Sequence, residues 1–262
     1  MNIGGKSVLV TGGGRGIGLE IAKAFAKEGA RVAICGRNEE TLKAAARMID
    51  EDVIYIIADL ADSNALEQIA TKIADQLGTL DILVNNAGIQ LNYSLFERPY
   101  AEICQDIVRE FKVDLVAPIK LSLALMPMLK ASKSGAIVNI GSGLAIAPKT
   151  NAAIYCASKA GLRNFTRSLR YQAEQHAKKL RVVDVVLPMV RTDMTAGRGK
   201  GKIEPSQVAN LIIKGLKKNN QEILIGKARI LAVLMRLAPK LGYRILKTAP
   251  VSPYPLMRKE TL

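Results

Sequence analysis

The chain is predicted to fold as a doubly wound parallel α/β sheet with helices on both faces, in a single domain. Three observations carry this expectation. Strand-like and helix-like segments alternate strictly up to residue 187. The strand-like segments are continuously apolar rather than alternating, which is the pattern of parallel strands covered on both faces. The motifs that could carry chemistry follow the carboxyl ends of those strands, where right-handed crossovers leave the ligand crevice of an open sheet.

The elements follow in order. Residues 6–11 read as a buried strand, because Val8-Leu9-Val10 is β-branched-rich and runs into glycines. A helix over 17–29 places Ile17, Ile21, Ala22, Ala24 and Phe25 on a helical period and stops at Gly29. A strand over 31–35 precedes a helix over 38–49, a strand over 53–58, and a helix opening at Asn64 with Glu67 as capping-box partner. Next come a strand over 80–85, a long helical region over 102–130, a strand over 135–140, a helix over 155–176 and a strand over 181–187. The glycine-rich AGRGKG at 196–201 reads as a mobile loop.

Composition narrows the function classes. With 262 residues, 49% of them apolar, the chain can bury one substantial core. Cys35, Cys104 and Cys156 are odd in number and widely spaced, so neither a disulfide framework nor a metal site is expected, and a reducing cytoplasm is. The first ten residues lack the pattern of a secretory signal, and the apolar stretches 121–129 and 230–237 are too short or interrupted to span a bilayer. The net charge of +15 is concentrated late, since 15 of the 38 Lys+Arg but only 4 of the 23 Asp+Glu lie from Arg191 onward. Nucleic acid is not the expected partner for this charge: aromatic residues make up 4%, Trp is absent, and no base-reading motif occurs. The single histidine, His176, falls near an expected helix end and reads as a surface charge.

Residues 11–18, TGGGRGIG, lie between the first strand and the first helix. Gly12, Gly14, Gly16 and Gly18 permit a tight turn and close backbone approach, while the free N–H groups of the helix start attract a pyrophosphate. The spacing differs from the general dinucleotide fingerprint, G-x-G-x-x-G. At the end of the second strand a carboxylate would hold a ribose 2′-hydroxyl. Gly36-Arg37 stands there instead, with Arg15 in the glycine loop, and two guanidiniums suit a 2′-phosphate. NADPH is therefore expected as cofactor in preference to NADH.

Tyr155 and Lys159 lie four residues apart and share one face of a helix. A neighbouring ammonium favours phenolate and tunes Tyr155 toward acid–base work. Tyr243 and Lys247 have the same spacing, so the pair alone proves little. Ser142, after the strand over 135–140, is 13 residues upstream, where its hydroxyl could come beside the phenol; by itself it would read as a turn or cap.

TGGGRGIG at 11–18, NNAG at 85–88, Ser142 with Tyr155-x3-Lys159, and Pro188-x-Val190-x-Thr192 occur in the order and spacing of the short-chain dehydrogenase/reductase family, which this chain resembles up to about residue 225. NNAGIQ, SGLA, YCASKAGL and GKARIL are similar to its DltE-like bacterial branch. The resemblance implies a Rossmann-like NADP-binding domain over 1–226, including the substrate loop, followed by a basic amphipathic extension over 227–262. It also implies roles. Tyr155 would exchange a proton with the reacting oxygen, Lys159 would lower its pKa and hold the nicotinamide ribose, and Ser142 would hydrogen-bond that oxygen. The glycine loop with Ile17 would hold the pyrophosphate, Asp59 and Leu60 would flank the adenine, Asn86, Ala87 and Gly88 the adenosine side, and Val190 and Thr192 the carboxamide. Homodimers or homotetramers are the family's usual assemblies.

Two positions depart from the family pattern. Asp114 stands where an Asn usually positions a relay water, and Met189 replaces the Gly usual after Pro188. The expected activity is hydride transfer between NADPH and a carbonyl or alcohol carbon, most simply carbonyl reduction. Its alternatives are a cofactor-binding regulatory or scaffold protein whose turnover is weakened by Asp114, and a membrane-peripheral reductase of lipid-like substrates. The last draws on 227–247, where six Lys and Arg lie among apolar residues and Pro239 should split two short helices. Their apolar face could pack on the substrate pocket, on a second subunit, or on an anionic membrane.

Overall fold

β1 (Ser7–Thr11), β2 (Arg31–Gly36), β3 (Ile54–Ile57), β4 (Ile82–Asn85), β5 (Gly135–Ser142), β6 (Leu180–Leu187) and β7 (Glu222–Leu224) pair in parallel, in the order β3-β2-β1-β4-β5-β6-β7. The computed structural model describes residues 1–247; the end of the expected 227–262 extension lies outside them. From β1 the chain winds outward to β3, returns beside β1 as β4, and winds the other way to β7. The reversal opens a crevice above the carboxyl ends of β1 and β4.

Two apolar layers hold the helices to the sheet. On one face α1 (Gly16–Lys27), α2 (Glu39–Ile49) and α8 (Pro205–Lys217) bury Ile21, Phe25, Leu42, Val208 and Ile212 against Val10, Ile34 and Val84. On the other, α3 (Ser63–Leu77), α5 (Ala117–Ala124) and α7 (Ala153–His176) bury Ile69, Ile73, Leu121 and Leu169 against Leu9, Leu83 and Ile137. Each fully buried side chain of this size contributes about 1.5–3 kcal/mol.

The structure corrects several sequence expectations. The region expected to be one helix over 102–130 is three: α4 (Tyr100–Phe111), then a π turn over Lys112–Val116 leading into α5, then α6 (Met126–Ala131). Pro127 sits in the first turn of α6, where its missing N–H costs nothing. The cap of α3 is Asp62, which accepts the Asn64 N–H at 3.0 Å, rather than Asn64 with Glu67. β3 alternates, with Tyr55 and Ile57 exposed, because it is a sheet edge. β7 and α8 were not anticipated. Asn38 caps α2 through the Thr41 N–H at 2.7 Å, and the late pair breaks at Pro239 into α9 (Lys227–Leu237) and α10 (Pro239–Lys247), as expected.

Candidate active site

The glycine loop is shaped by two contacts that a side chain would destroy. Gly12 has a positive φ of 65°, and a β-carbon on Gly18 would lie 2.2 Å from the Gly12 carbonyl oxygen. The loop is bolted to the segment after β4. The Thr11 hydroxyl accepts the N–H groups of Asn86 and Ala87 at 2.9 and 3.0 Å, and the Asn86 side-chain amide donates to the Thr11 carbonyl at 2.9 Å. Asn86 thus spends its side chain on holding the loop.

Around this floor stand the other expected cofactor positions. Arg15 is the N-cap residue of α1 and makes no side-chain cap, so the first N–H groups of α1 have no capping side chain from it. Its guanidinium lies 3.7 Å from Asp193, both exposed. Arg37 is exposed just beyond β2, and Gly14 abuts Thr41 and Leu42 of α2. Ile17 packs on the core. Asp59 is exposed after β3 and accepts the Ala61 N–H, while Leu60 is buried. Across the crevice Thr192 faces the glycine loop: a β-carbon on Gly16 would meet its methyl at 3.4 Å. Val190 is buried and bridges Ile203, closing the loop that holds 196–201.

Ser142 ends β5 and Tyr155 opens α7, with Lys159 one turn further. The Ser142 hydroxyl lies close enough to the phenol to lower its pKa, so Ser142, Tyr155 and Lys159 converge as expected. Ser142 also accepts the Leu144 N–H at 3.1 Å, which makes it a cap as well. The Lys159 ammonium donates to the Ile140 carbonyl at 3.3 Å and lies 5.7 Å from the centre of the Tyr155 ring. A β-carbon on Gly88 would sit 3.4 Å from that ammonium and 3.0 Å from the Asp114 carboxylate, so Gly88 leaves the space in which the two approach.

The direction of the Tyr155 shift differs from the sequence expectation. Burial, followed by the negative charge of Asp114, holds the phenol above its ordinary range, and the neighbouring Ser142 hydroxyl acts the other way. At neutral pH Tyr155 is a neutral phenol, which is the state of a proton donor. Asp114 is fully buried on the π turn and accepts the Ile89 N–H at 2.8 Å. Its carboxyl is raised to about 6 by burial, against the opposing charge of Lys159.

Sequence reasoning missed two groups of residues. Glu110, fully buried at the end of α4, accepts the Leu91 N–H at 3.1 Å, and burial raises its carboxyl to about 8. Asn85 donates to Asn139 at 2.8 Å and Asn139 to Thr166 at 2.8 Å, a buried chain joining β4, β5 and α7. For Asn85 and Asn139 a single Asn in an apolar strand was the available signal; Glu110, among the charges of a mixed segment, offered none.

Three loops close around the site: Tyr93 bonds the Asn151 carbonyl at 3.0 Å, Lys149 the Asn92 side chain at 2.6 Å, and Arg198 the Gln90 side chain at 3.2 Å. Phe96 and Tyr100 stand exposed on the segment from 89 to 100, and Met189 lies over Gly199. On the far side Ala228 and Leu231 of α9 pack at Gly143, and Thr150 donates to the Lys247 carbonyl at 2.7 Å. The inner face of α9 is therefore a wall beside the turn that carries Ser142.

Comparison with known proteins agrees with this geometry. The short chain dehydrogenase family profile matches residues 6–202. A fatty acyl-CoA reductase of Acinetobacter baylyi is 32% identical over 248 residues, 92% of this chain and 83% of that one. The uncharacterized oxidoreductase DltE of Bacillus subtilis is 33% identical over 85% of this chain and 89% of its own. Among solved structures, a metagenomic short-chain oxidoreductase in complex with NADP superposes with a TM-score of 0.72 at 32% identity, covering 86% of this chain and 98% of that one. With the glycine loop, the NNAG segment and the Ser142, Tyr155 and Lys159 trio in one crevice, the chain belongs to the short chain dehydrogenase family of oxidoreductases.

Proposed function

We propose that this protein is an NADPH-dependent reductase of a small carbonyl compound, able to run in reverse on the alcohol. The observation that carries the reading is the neutral, buried Tyr155 phenol standing beside the Ser142 hydroxyl and the Lys159 ammonium. The crevice fits a dinucleotide, because side chains at Gly12 or Gly18 would fill its floor and the start of α1 presents its N–H groups there. Gly12, Gly14, Gly16, Ile17 and Gly18 would hold the pyrophosphate, Asp59, Leu60 and Asn86 to Gly88 the adenosine side, and Lys159, Val190 and Thr192 the nicotinamide side. Arg15 and Arg37, with no carboxylate at the end of β2, support NADP over NAD. The cofactor, when bound, supplies the hydride. Ser142 would hold the substrate oxygen, and Tyr155 would give it a proton as charge develops there.

NADPH oxidation against a panel of aldehydes, ketones and quinones, with NADH and Tyr155→Phe alongside, tests this. Turnover with NADPH that collapses in the variant supports it. Tight NADPH binding without turnover on any member supports a regulatory cofactor-binding role instead.

A second reading concerns where the enzyme works. α9 and α10 expose Ile230, Val233, Leu237, Leu241 and Ile245, flanked by six cations, and no carboxylate occurs between residues 223 and 247. Two copies joined through this face would bring like charges together, whereas anionic headgroups would neutralise them. Among the described residues no helix is long and apolar enough to cross a membrane. An anionic membrane surface is thus the partner we assign to 227–247, with a lipid-like substrate reached through the wall that α9 makes. Co-sedimentation with phosphatidylcholine vesicles, with and without phosphatidylglycerol, tests it. Binding confined to the anionic vesicles and lost in Val233→Glu/Leu237→Glu is expected; a dimer that this double variant dissociates would make the face a subunit contact. We also expect a homodimer or homotetramer, through exposed Val116 at the end of the π turn, Leu123 of α5 and Tyr171 of α7.

A further inference from the structure

Glu110 and Asp114 lie one turn apart, where α4 passes into the π turn, and both are fully buried. Each gives one oxygen to a backbone N–H of the same loop, Glu110 to Leu91 and Asp114 to Ile89. Each has a second oxygen with no hydrogen-bond donor among the described residues. The Ser158 hydroxyl is beside Asp114, but its one proton goes to the Tyr155 carbonyl at 2.9 Å. The cation facing them is Lys159, whose ammonium and the Asp114 carboxylate converge at Gly88. Two ionised carboxylates in this space would leave a net buried negative charge with bare oxygens. That arrangement costs several kcal/mol, and such sites avoid it by keeping a proton.

Resting on the reductase reading, we propose that Glu110 and Asp114 act as one proton-sharing pair, holding one proton and one negative charge between them, which balances Lys159 and replaces the proton that Tyr155 gives to the substrate. The proton balance is closed. In reduction the phenol O–H bond breaks and its proton goes to the substrate oxygen, as the hydride goes to carbon. The tyrosinate recovers a proton from Lys159, Lys159 recovers one from the carboxyl pair, and the pair takes one from water before the next turnover. Glu110 touches neither substrate nor cofactor in this scheme; it is a positioning residue for the proton.

The groups facing the pair are few. From its own helix comes Asp106, which pairs with Arg98; from α7 come Tyr155, Cys156 and Lys159; from the loop after β4 comes Tyr93. Glu110 is raised to about 8 and Asp114 to about 6, in each case first by burial, and Asp114 also raises Glu110. Between those values the pair carries the single proton, and above about 8 it loses it.

The test reads the proton directly. In the full chain at pH 7, the infrared carbonyl absorption of a protonated carboxylic acid is expected in the wild type, fading near pH 8, and is expected to vanish in Glu110→Gln. Asp184, raised to about 6 and paired with Arg163, is largely ionised at pH 7. Gln still accepts the Leu91 N–H, so the loop contact survives in this variant. No acid absorption at pH 7 in the wild type, or one unchanged in both Glu110→Gln and Asp114→Asn, overturns the shared proton whatever the enzyme reduces. The second readout is kcat for NADPH-driven reduction of the best substrate of the panel. The alkaline fall near pH 8 should move by more than one pH unit in Glu110→Gln, with KM little changed, and superimposed profiles overturn the proton-supplying role. Failure of every panel member to react overturns the reductase reading and leaves the infrared result to decide the pair.

Discussion

Asn85 gives its side-chain N–H to Asn139 at 2.8 Å, the two facing each other in register across β4 and β5. Asn139 passes the chain on to Thr166 of α7 at 2.8 Å, so the helix that carries Tyr155 and Lys159 is pinned to the sheet by polar groups inside an apolar core. Buried groups of this kind gain little from a bond but lose much without one. Thr166→Val removes the acceptor and leaves the Asn139 amide bare. Urea unfolding should show a loss of about 1–3 kcal/mol, larger than Ser168→Ala at an exposed position of the same helix would give, and activity should fall with it.

Tyr155→Phe keeps the ring and its packing but removes the O–H that stands beside the Ser142 hydroxyl. A general acid commonly contributes about 10²- to 10⁴-fold in rate. We expect kcat to fall in that range while NADPH affinity, measured by fluorescence titration, changes by less than about threefold, because each 1.4 kcal/mol is tenfold and no charge is lost. Equal loss of binding and turnover would instead make the phenol a cofactor-holding group.

Much of this site was legible in the sequence because it rests on short-range rules. Gly12 and Gly18 are dictated by backbone contact, the spacing of Tyr155 and Lys159 by one helical turn, and the place of Ser142 by a strand end. What was not legible depends on contacts between distant segments. Glu110 was not singled out in the sequence, yet it is fully buried, because the loop after β4 offers it the Leu91 N–H. The region over 102–130 read as one helix, yet a π turn interrupts it, and that turn carries Asp114, whose carboxylate lies with the Lys159 ammonium at Gly88. β7 has three residues and could not be separated from a loop by pattern, whereas the Glu204-Pro205-x-Gln207 start of α8 was a readable cap.

Cofactor preference turns on Arg15 and Arg37, both exposed at the mouth of the crevice. A hydrogen bond to a charged group contributes about 1.5–3 kcal/mol, so Arg37→Gln should weaken NADPH roughly 10- to 100-fold and leave NADH nearly unchanged. Arg37→Asp should go further and favour NADH, since a carboxylate there accepts from the 2′-hydroxyl and repels the phosphate. Comparing kcat/KM for the two cofactors at low and moderate salt checks this, and the Arg37→Gln effect should shrink as salt rises.

The buried carboxyl pair also makes stability depend on pH in an uncommon direction. Glu110 is raised from an ordinary 4.5 to about 8 in the folded chain. Between those values the unfolded chain has released the proton that the folded chain keeps, so the folded state binds more protons and loses stability as pH rises. The contribution is present below about 4.5 and is lost progressively up to about pH 8, with a slope of at most about 1.4 kcal/mol per pH unit. Asp114, raised to about 6, adds to the same slope at the acid end of the window. Urea midpoints for the wild type should therefore fall between pH 6 and pH 8, and Glu110→Gln, which has no proton to lose, should flatten that fall. A variant whose midpoints track the wild type at both pH values would place the titration elsewhere, with Asp184 the next carboxyl to replace.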